Sequence, residues 1–260
     1  MAIGRKQNAR NEDFVWAWEH IESLVSRAEA EALVKKTVYA IWKVTRGRRV
    51  GYAWSGGKDS IALQYVCERA GIYRCVMGTS RSLELRMFME WVERNKPEGL
   101  EIYDVNIGMR WLADHPDMLF PYRSDILAKW YKLLHHSAQR WFVTHNNLDM
   151  VLLGRRLTDG NFVGRGTNIY TDLNGITRYS PLSDWSHEQV LAVIHYFMNR
   201  EIPPVYDLPE GWIKSTGVWP MQCSGTDEGW SYYWQVDKTV VMEASRWFES
   251  ARRFINSLWI

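Results

Sequence analysis

The hexapeptide Ser55-Gly56-Gly57-Lys58-Asp59-Ser60, set between an apolar run and an amphipathic one, constrains this chain more than any other feature. Two adjacent glycines let the backbone turn sharply and approach a ligand with no Cβ in the way. The preceding run, Val50-Gly51-Tyr52-Ala53-Trp54, has the short apolar character of a strand buried on both faces. The following run, Ile61 to Val66, reads as a helix ending near Gly71. A strand, a glycine loop and a helix in that order aim amides from a helix N-terminus, where partial positive charge favours an anion. Ser55 and Ser60 add hydroxyl donors and Lys58 adds a full charge. Asp59 alone is a poor neighbour for phosphate, so a Mg²⁺ ion between Asp59 and the phosphates is expected. The loop is not a Walker A motif, because Tyr52 stands where its first glycine belongs and Asp59 follows the lysine.

The rest of the chain alternates between the two periodicities. Residues 12–45 read as one or two helices, with Trp18, Ile21, Val25, Leu33, Val38 and Ile41 near helical spacing. Tyr73 to Met77 and Leu100 to Val105 read as strands, separated by a helix from Leu85 to about Lys96. A long helix from about Ser124 to Phe142 leads to a fourth strand, Met150 to Leu153. Strands alternating with helices predict an α/β fold: a mainly parallel twisted sheet with helices on both faces, plus N-terminal and C-terminal helical segments. Such sheets bind ligands beyond the carboxyl ends of their strands. Ser55 to Ser60, Gly78-Thr79-Ser80 and Gly154-Arg155-Arg156 all emerge at those ends. One domain over residues 1–260 is expected, with a core of about 48–218, helices over 12–45, and an aromatic segment and helix over 219–260.

Arg155 and Arg156 directly follow a buried strand, so at least one is expected to reach the crevice, where a guanidinium can grip phosphate oxygens bidentately. Asp159 to Gly166 carries three glycines and Arg165, the composition of a loop that closes over substrate. Thr79 and Ser80, then Asn106 and Arg110, are weaker candidates at the ends of the second and third strands. Ser186 and Gln189 have capping-box spacing, which makes Asp184 and Trp185 structural residues before a helix. His135 and His136 are about 100° apart on a helix, too far to share a metal.

Composition limits the alternatives. The three cysteines, Cys67, Cys75 and Cys223, form no C-x-x-C pair and cannot supply a four-thiolate site. No iron–sulfur cluster is expected. A net charge of +2 argues neither for nor against nucleic acid, and no apolar run is long enough for a membrane span. The N-terminal residues have basic character without an apolar stretch, so a cytoplasmic protein with no membrane partner is expected. Fifteen tryptophans are the oddity, as core packing or as stacking platforms for bases. A helix from about Lys238 to Leu258 shows a stripe of Val240, Ala244, Trp247, Phe248, Ala251 and Phe254, expected to pack against the sheet.

The strand followed by S-G-G-K-D-S and a helix resembles the PP-loop signature of the adenine-nucleotide alpha-hydrolase superfamily. More narrowly, three further segments are similar to the phosphoadenylyl-sulfate (PAPS) reductase family. They are Leu153-Gly154-Arg155-Arg156, then Tyr179-Ser180-Pro181-Leu182-Ser183-Asp184-Trp185-Ser186, then Ile202-Pro203-Pro204-Val205-Tyr206-Asp207. The likeness covers roughly Arg48 to Val218. The reductases' catalytic cysteine motif has no counterpart around Cys223, whose neighbours are Gln222 and Ser224.

This resemblance implies a Rossmann-like PP-loop enzyme that takes ATP or PAPS. It places the nucleotide on Ser55, Gly56, Gly57, Lys58, Asp59, Ser60, Thr79, Ser80, Gly154, Arg155, Arg156 and Arg165. The expected chemistry is cleavage of ATP between the α and β phosphates to adenylate or otherwise activate an acceptor. Lys58, Asp59, Arg155 and Arg156 would be its catalytic residues, with Mg²⁺ on Asp59. The acceptor, whether small molecule, nucleic acid or protein, stays open, as does assembly into a homo-oligomer or with a partner protein. A sulfonucleotide reductase or sulfotransferase-type enzyme of sulfur metabolism is one alternative, and a catalytically silent nucleotide-sensing protein another.

Overall fold

The computed structural model describes residues 3–121, 123–199, 201–214 and 225–259. Cys223 and Trp219 lie outside the described residues. The chain opens with helices α1 (Asn11–Glu19), α2 (Ile21–Leu24) and α3 (Arg27–Thr45), three where one or two are expected. The break at Val25 has a local cause. Ser26 starts α3 with a capping box, its hydroxyl accepting from the Glu29 amide while the Glu29 carboxylate accepts from the Ser26 amide.

Strand β1 (Val50–Ala53) leads through the glycine loop into α4 (Lys58–Arg69). Next come β2 (Cys75–Thr79), α5 (Arg86–Asn95), β3 (Leu100–Asp104) and a short α6 (Met109–Asp114). A long helical rod follows, made of α7 (Ser124–Tyr131), a π-helical turn (Lys132–His136) and α8 (Ser137–His145). Strand β4 (Met150–Leu152) is followed by a hairpin, β5 (Ile169–Thr171) and β6 (Thr177–Tyr179), then α9 (His187–Phe197). The chain finishes with α10 (Thr226–Val236), α11 (Lys238–Ala244) and α12 (Glu249–Ser257).

The six strands form one sheet in the order β3-β2-β1-β4-β6-β5, and only β5 runs antiparallel to its neighbour. Successive strands step outward from β1 to β3, and the chain then crosses to the other side of β1 to lay down β4. The point between β1 and β4 is therefore a topological switch, where the loops leaving adjacent strands diverge and open a crevice. Side chains alternate across the sheet. Tyr52, Cys75, Met77 and Leu152 join the large cluster with α4, α5 and α9. Val76 packs on Ala138 and Phe142 of α8 on the opposite face. The fold is thus mainly parallel and Rossmann-like, with helices on both faces of the sheet.

Most of the tryptophans described are packing residues. Trp54, Trp130, Trp185 and Trp230 are buried, and Trp54 stacks on Trp91 with ring centroids 6.1 Å apart. The Trp185 indole donates to the Thr37 hydroxyl, fixing α9 against α3, and Asp184 is exposed beside it. Burying one such side chain contributes about 1.5–3 kcal/mol.

The C-terminal region differs from expectation in two respects. Thr226–Val236 is a helix of its own, and the single helix expected over 238–258 is broken at Ser245–Phe248. Phe248 takes an extended backbone and turns inward against Trp230, which redirects the chain. Trp247 and Leu258 consequently face solvent, and α12 packs on α10 and α11. The hairpin β5–β6 is a second addition that the strand pattern did not reveal, since Ile-Tyr-Thr and Thr-Arg-Tyr form no apolar run such as that of β4.

Candidate functional site

The glycine loop lies at the switch point. Gly56 has φ +70°, a conformation that side chains disfavour, and Gly57 is the N-cap of α4. The Ser60 hydroxyl donates to the Gly57 carbonyl at 2.8 Å and accepts the Ser55 amide at 3.1 Å, so the two serines brace the loop. The Ser55 hydroxyl in turn accepts from the Gly57 amide at 3.4 Å. The Lys58 amide donates to the Tyr206 hydroxyl at 2.7 Å. Among the described residues, the amides of Gly56 and Asp59 donate to no acceptor. Those amides at the start of a twelve-residue helix are ready-made anion donors.

From the neighbouring strand, Gly154 passes so close to α4 that an added Cβ would sit 3.0 Å from the Asp59 carbonyl oxygen. That contact lets the β4 turn press against the first turn of α4. The two arginines after it then part company. Arg155 is half-buried on the wall of the cavity, its guanidinium donating to the Tyr170 hydroxyl at 2.8 Å and the Phe162 carbonyl at 3.4 Å. Arg156 is fully buried and does not line the cavity. Its Nε is 2.9 Å from Asp59 Oδ1, and its Nη2 reaches Asp159 Oδ1 at 3.0 Å and His187 Nδ1 at 2.9 Å. Another nitrogen donates to the Trp185 carbonyl at 3.3 Å.

A cluster of two cations and two carboxylates results. Lys58 Nζ is 2.8 Å from Asp59 Oδ2, with the lysine side chain 3% exposed. Burial pushes the Lys58 ammonium down to about 8, against the opposing pull of Asp59. Burial alone would raise the Asp59 carboxyl, but Lys58 and Arg156 hold it below the usual carboxylate range. Asp159 is raised, by burial and then by Asp59. His187 is lowered to about 3 by burial and by Arg156, so it stays neutral and accepts from the guanidinium.

The cavity has a volume of about 330 Å³, at the small end of the roughly 300–1,000 Å³ common for ligand pockets. Ser55, Gly57, Lys58, Asp59 and Ser60 form its floor, with Gly154 and Arg155 beside them. Thr79 and Ser80 do not line it. The Thr79 hydroxyl donates to Glu84 Oε1 at 2.7 Å, and the Ser80 hydroxyl donates to the Ile107 carbonyl. They tie the β2 loop to the start of α5 and to the β3 loop. Arg165 is exposed and does not line the cavity either. Asn106 adopts a left-handed turn of φ 54° capped by Asp104, and Arg110 is exposed.

Several lining residues have no signal in the motif. Tyr131, His135 and Gln139 face the cavity from the helical rod, where the π-helical turn shifts the register between α7 and α8. His135 is lowered to about 4 by burial, His136 and Arg155, so it offers a neutral imidazole there. Tyr206, Trp212 and Lys214 come from the segment after α9, and Lys6 comes from the N-terminal segment. Tyr206 lies within a segment singled out from the sequence, and His135 was considered there only as a metal ligand. Among the described residues, no group of three or more His, Cys, Asp or Glu stands together as a metal site, and no helix is long and apolar enough to cross a membrane.

The fold and loop define the class: an α/β protein with a glycine loop and a buried lysine at the switch point of its mainly parallel sheet. Within that class the chain resembles PAPS reductase-like proteins. It is similar to the phosphoadenylyl-sulfate (PAPS) reductase from Candida auris, solved as a phosphate complex. The identity is 18%, over 70% of this chain and 92% of that one, with a TM-score of 0.49. It is also similar to the U34-tRNA thiolase NcsA from Methanococcus maripaludis, solved with its 4Fe–4S cluster. There the identity is 16%, over 64% of this chain and 63% of that one, with a TM-score of 0.38. The chain matches no family model and no curated protein.

Proposed function

We propose that this chain is a PP-loop enzyme that binds ATP, or a closely related adenosine nucleotide, and cleaves it between the α and β phosphates. The observation that carries this reading is the convergence of three anion-binding elements on one cavity. These are the open amide of Asp59 at the start of α4, the Lys58 ammonium and the Arg155 guanidinium. An acceptor oxygen attacks the α-phosphorus, the bond from that phosphorus to the bridging oxygen breaks, and pyrophosphate leaves onto the loop. Lys58 and Arg155 stabilise the charge that develops, and Arg156 acts one step back by holding Asp59 in place. Positioning and electrostatics dominate such transfers, so no general base is required of the protein.

Two lining carboxylates, Asp59 and Asp159, are the hard oxygen donors Mg²⁺ takes, with Asp159 Oδ2 outside any ion pair among the described residues and Asp59 able to exchange Lys58 for the ion. Asp59 would be the carboxylate that holds the ion, which when bound would neutralise phosphate charge. Cys67 and Cys75 are buried away from the cavity, and burial pushes the Cys75 thiol up to about 12. Neither is placed for thiol chemistry on a sulfonucleotide.

The test is product analysis by mass spectrometry after incubation with ATP, PAPS and Mg²⁺, with Asp59→Asn as control. AMP and pyrophosphate from ATP, lost in the variant, are expected. Conversion of PAPS alone would place the protein among sulfonucleotide enzymes. Binding of either nucleotide without turnover in the presence of candidate acceptors would make it a sensor.

A further inference from the structure

Lys6 lies fifty residues before the glycine loop and carries no motif, yet it lines the same cavity. The segment that brings it there is fastened at both ends. The Ile3 amide donates to Glu188 Oε1 at 2.6 Å, and Ile3 and Ala9 pack on the cluster of Phe14, Ile21 and Trp212. Between those anchors a single 3₁₀ turn, Lys6–Asn8, lies against Leu157–Asp159, the turn that follows Arg156.

The charge balance in the cavity gives Lys6 a task. Asp59 and Asp159 are both ion-paired, the first with Lys58 and Arg156 and the second with Arg156. Lys214 is paired with Glu210 at 2.6 Å. Lys6 has no ion pair among the described residues, and Arg155 contacts only a hydroxyl and a carbonyl. Two lining cations are therefore left without a carboxylate. A half-buried lysine held there by anchors on both sides has less freedom to lose than a surface lysine when an anion arrives. The packing of its turn on Leu157–Asp159 sets Lys6 on the side of the cavity that carries Asp159.

We propose that Lys6 is a phosphate-binding residue contributed by the N-terminal segment, and that it selects nucleotides carrying a pyrophosphate group beyond the α-phosphate. The inference rests on the proposed nucleotide site and adds a specificity determinant to it. Lys6 contacts the β and γ phosphates while the loop amides hold the same group from below. A nucleoside monophosphate has nothing to offer it.

The experiment is isothermal titration of the full chain and its Lys6→Ala and Lys6→Arg variants with ATP, inorganic pyrophosphate and AMP. Loss of one charge-assisted contact predicts that Lys6→Ala weakens ATP and pyrophosphate binding about tenfold or more. AMP affinity should stay within about twofold, and Lys6→Arg should recover most of the ATP affinity. Unchanged ATP affinity in Lys6→Ala overturns the assignment while leaving the site intact. An equal loss of ATP and AMP overturns it too, because the segment would then act only by packing. A wild-type chain that binds none of the three overturns the nucleotide site itself and this inference with it.

Discussion

Arg156 Nε lies 2.9 Å from Asp59 Oδ1, and this one ion pair joins the turn after β4 to the first turn of α4 across the switch point of the sheet. The same guanidinium reaches Asp159 and His187, so the turn after β4 and the start of α9 are both fixed relative to the glycine loop by a single buried side chain. Arg155, its neighbour, points instead to the cavity. Adjacent residues on an extended backbone face opposite ways, and here that alternation separates a buried arginine from a cavity-facing one.

Removing the buried arginine should unfold the site. Arg156→Ala leaves the Asp59–Asp159 carboxylates short of a buried cation, a change that costs about 3–5 kcal/mol. Denaturant titration should show that loss, and Arg156→Lys should recover only part of it because an ammonium lacks the planar fork. A midpoint equal to wild type would contradict the assignment.

Replacing the cavity-facing arginine should do the reverse. Arg155→Ala should lower stability by about 1 kcal/mol or less, since it loses only half-buried hydrogen bonds. Nucleotide affinity should fall roughly tenfold or more with the loss of a charge-assisted contact to phosphate. Calorimetric titration beside the denaturation curve separates the two effects.

Lys58 makes binding depend on pH. Its ammonium sits at about 8 in the free protein, lowered by burial, while bound phosphate would raise it. Below that value the lysine is charged in both states and affinity should be flat. Above it, binding must take up a proton, so affinity should fall up to about tenfold per pH unit until the bound-state value is passed. Titrations between about pH 7.5 and 9.5 read this slope, and Lys58→Arg should remove it because a guanidinium stays charged. A flat wild-type profile would contradict the role of Lys58.

Gly154 tests the close approach of the two loops. A Cβ there meets the Asp59 carbonyl at 3.0 Å, and the larger side chain of Gly154→Val must push α4 away from β4. Overpacking of this kind costs about 1–3 kcal/mol. Affinity should drop as well, because the amides of Gly56 and Asp59 move with the helix. A variant that binds as wild type would show that the loop tolerates displacement.

The sheet and the glycine turn between β1 and α4 were legible because their signals are local. Apolar runs at Val50, Cys75, Leu100 and Met150 mark strands, and Gly56-Gly57 marks the turn. The Ser186–Gln189 capping box marked the start of α9 and is present as such. What escaped notice is non-local. Lys6, Trp212 and His135 come to the cavity through tertiary packing and a π-helical turn, neither of which leaves a periodic trace. Thr79 and Ser80 had the right position at a strand end, but their hydroxyls are engaged with Glu84 and Ile107. The strand-end rule gives a region and does not say which way a side chain turns. Strands β5 and β6, Ile-Tyr-Thr and Thr-Arg-Tyr, form no apolar run to register.

The central claim is that the phosphates of an adenosine nucleotide occupy the cavity above Lys58. Calorimetric titration of the wild-type chain and Lys58→Ala with ATP and Mg²⁺ tests it most directly. Loss of a buried charge-assisted contact predicts saturable binding by wild type and an affinity about tenfold to a hundredfold lower in the variant, with both proteins folded. Equal affinity in the two proteins, or no binding by wild type, would contradict the account.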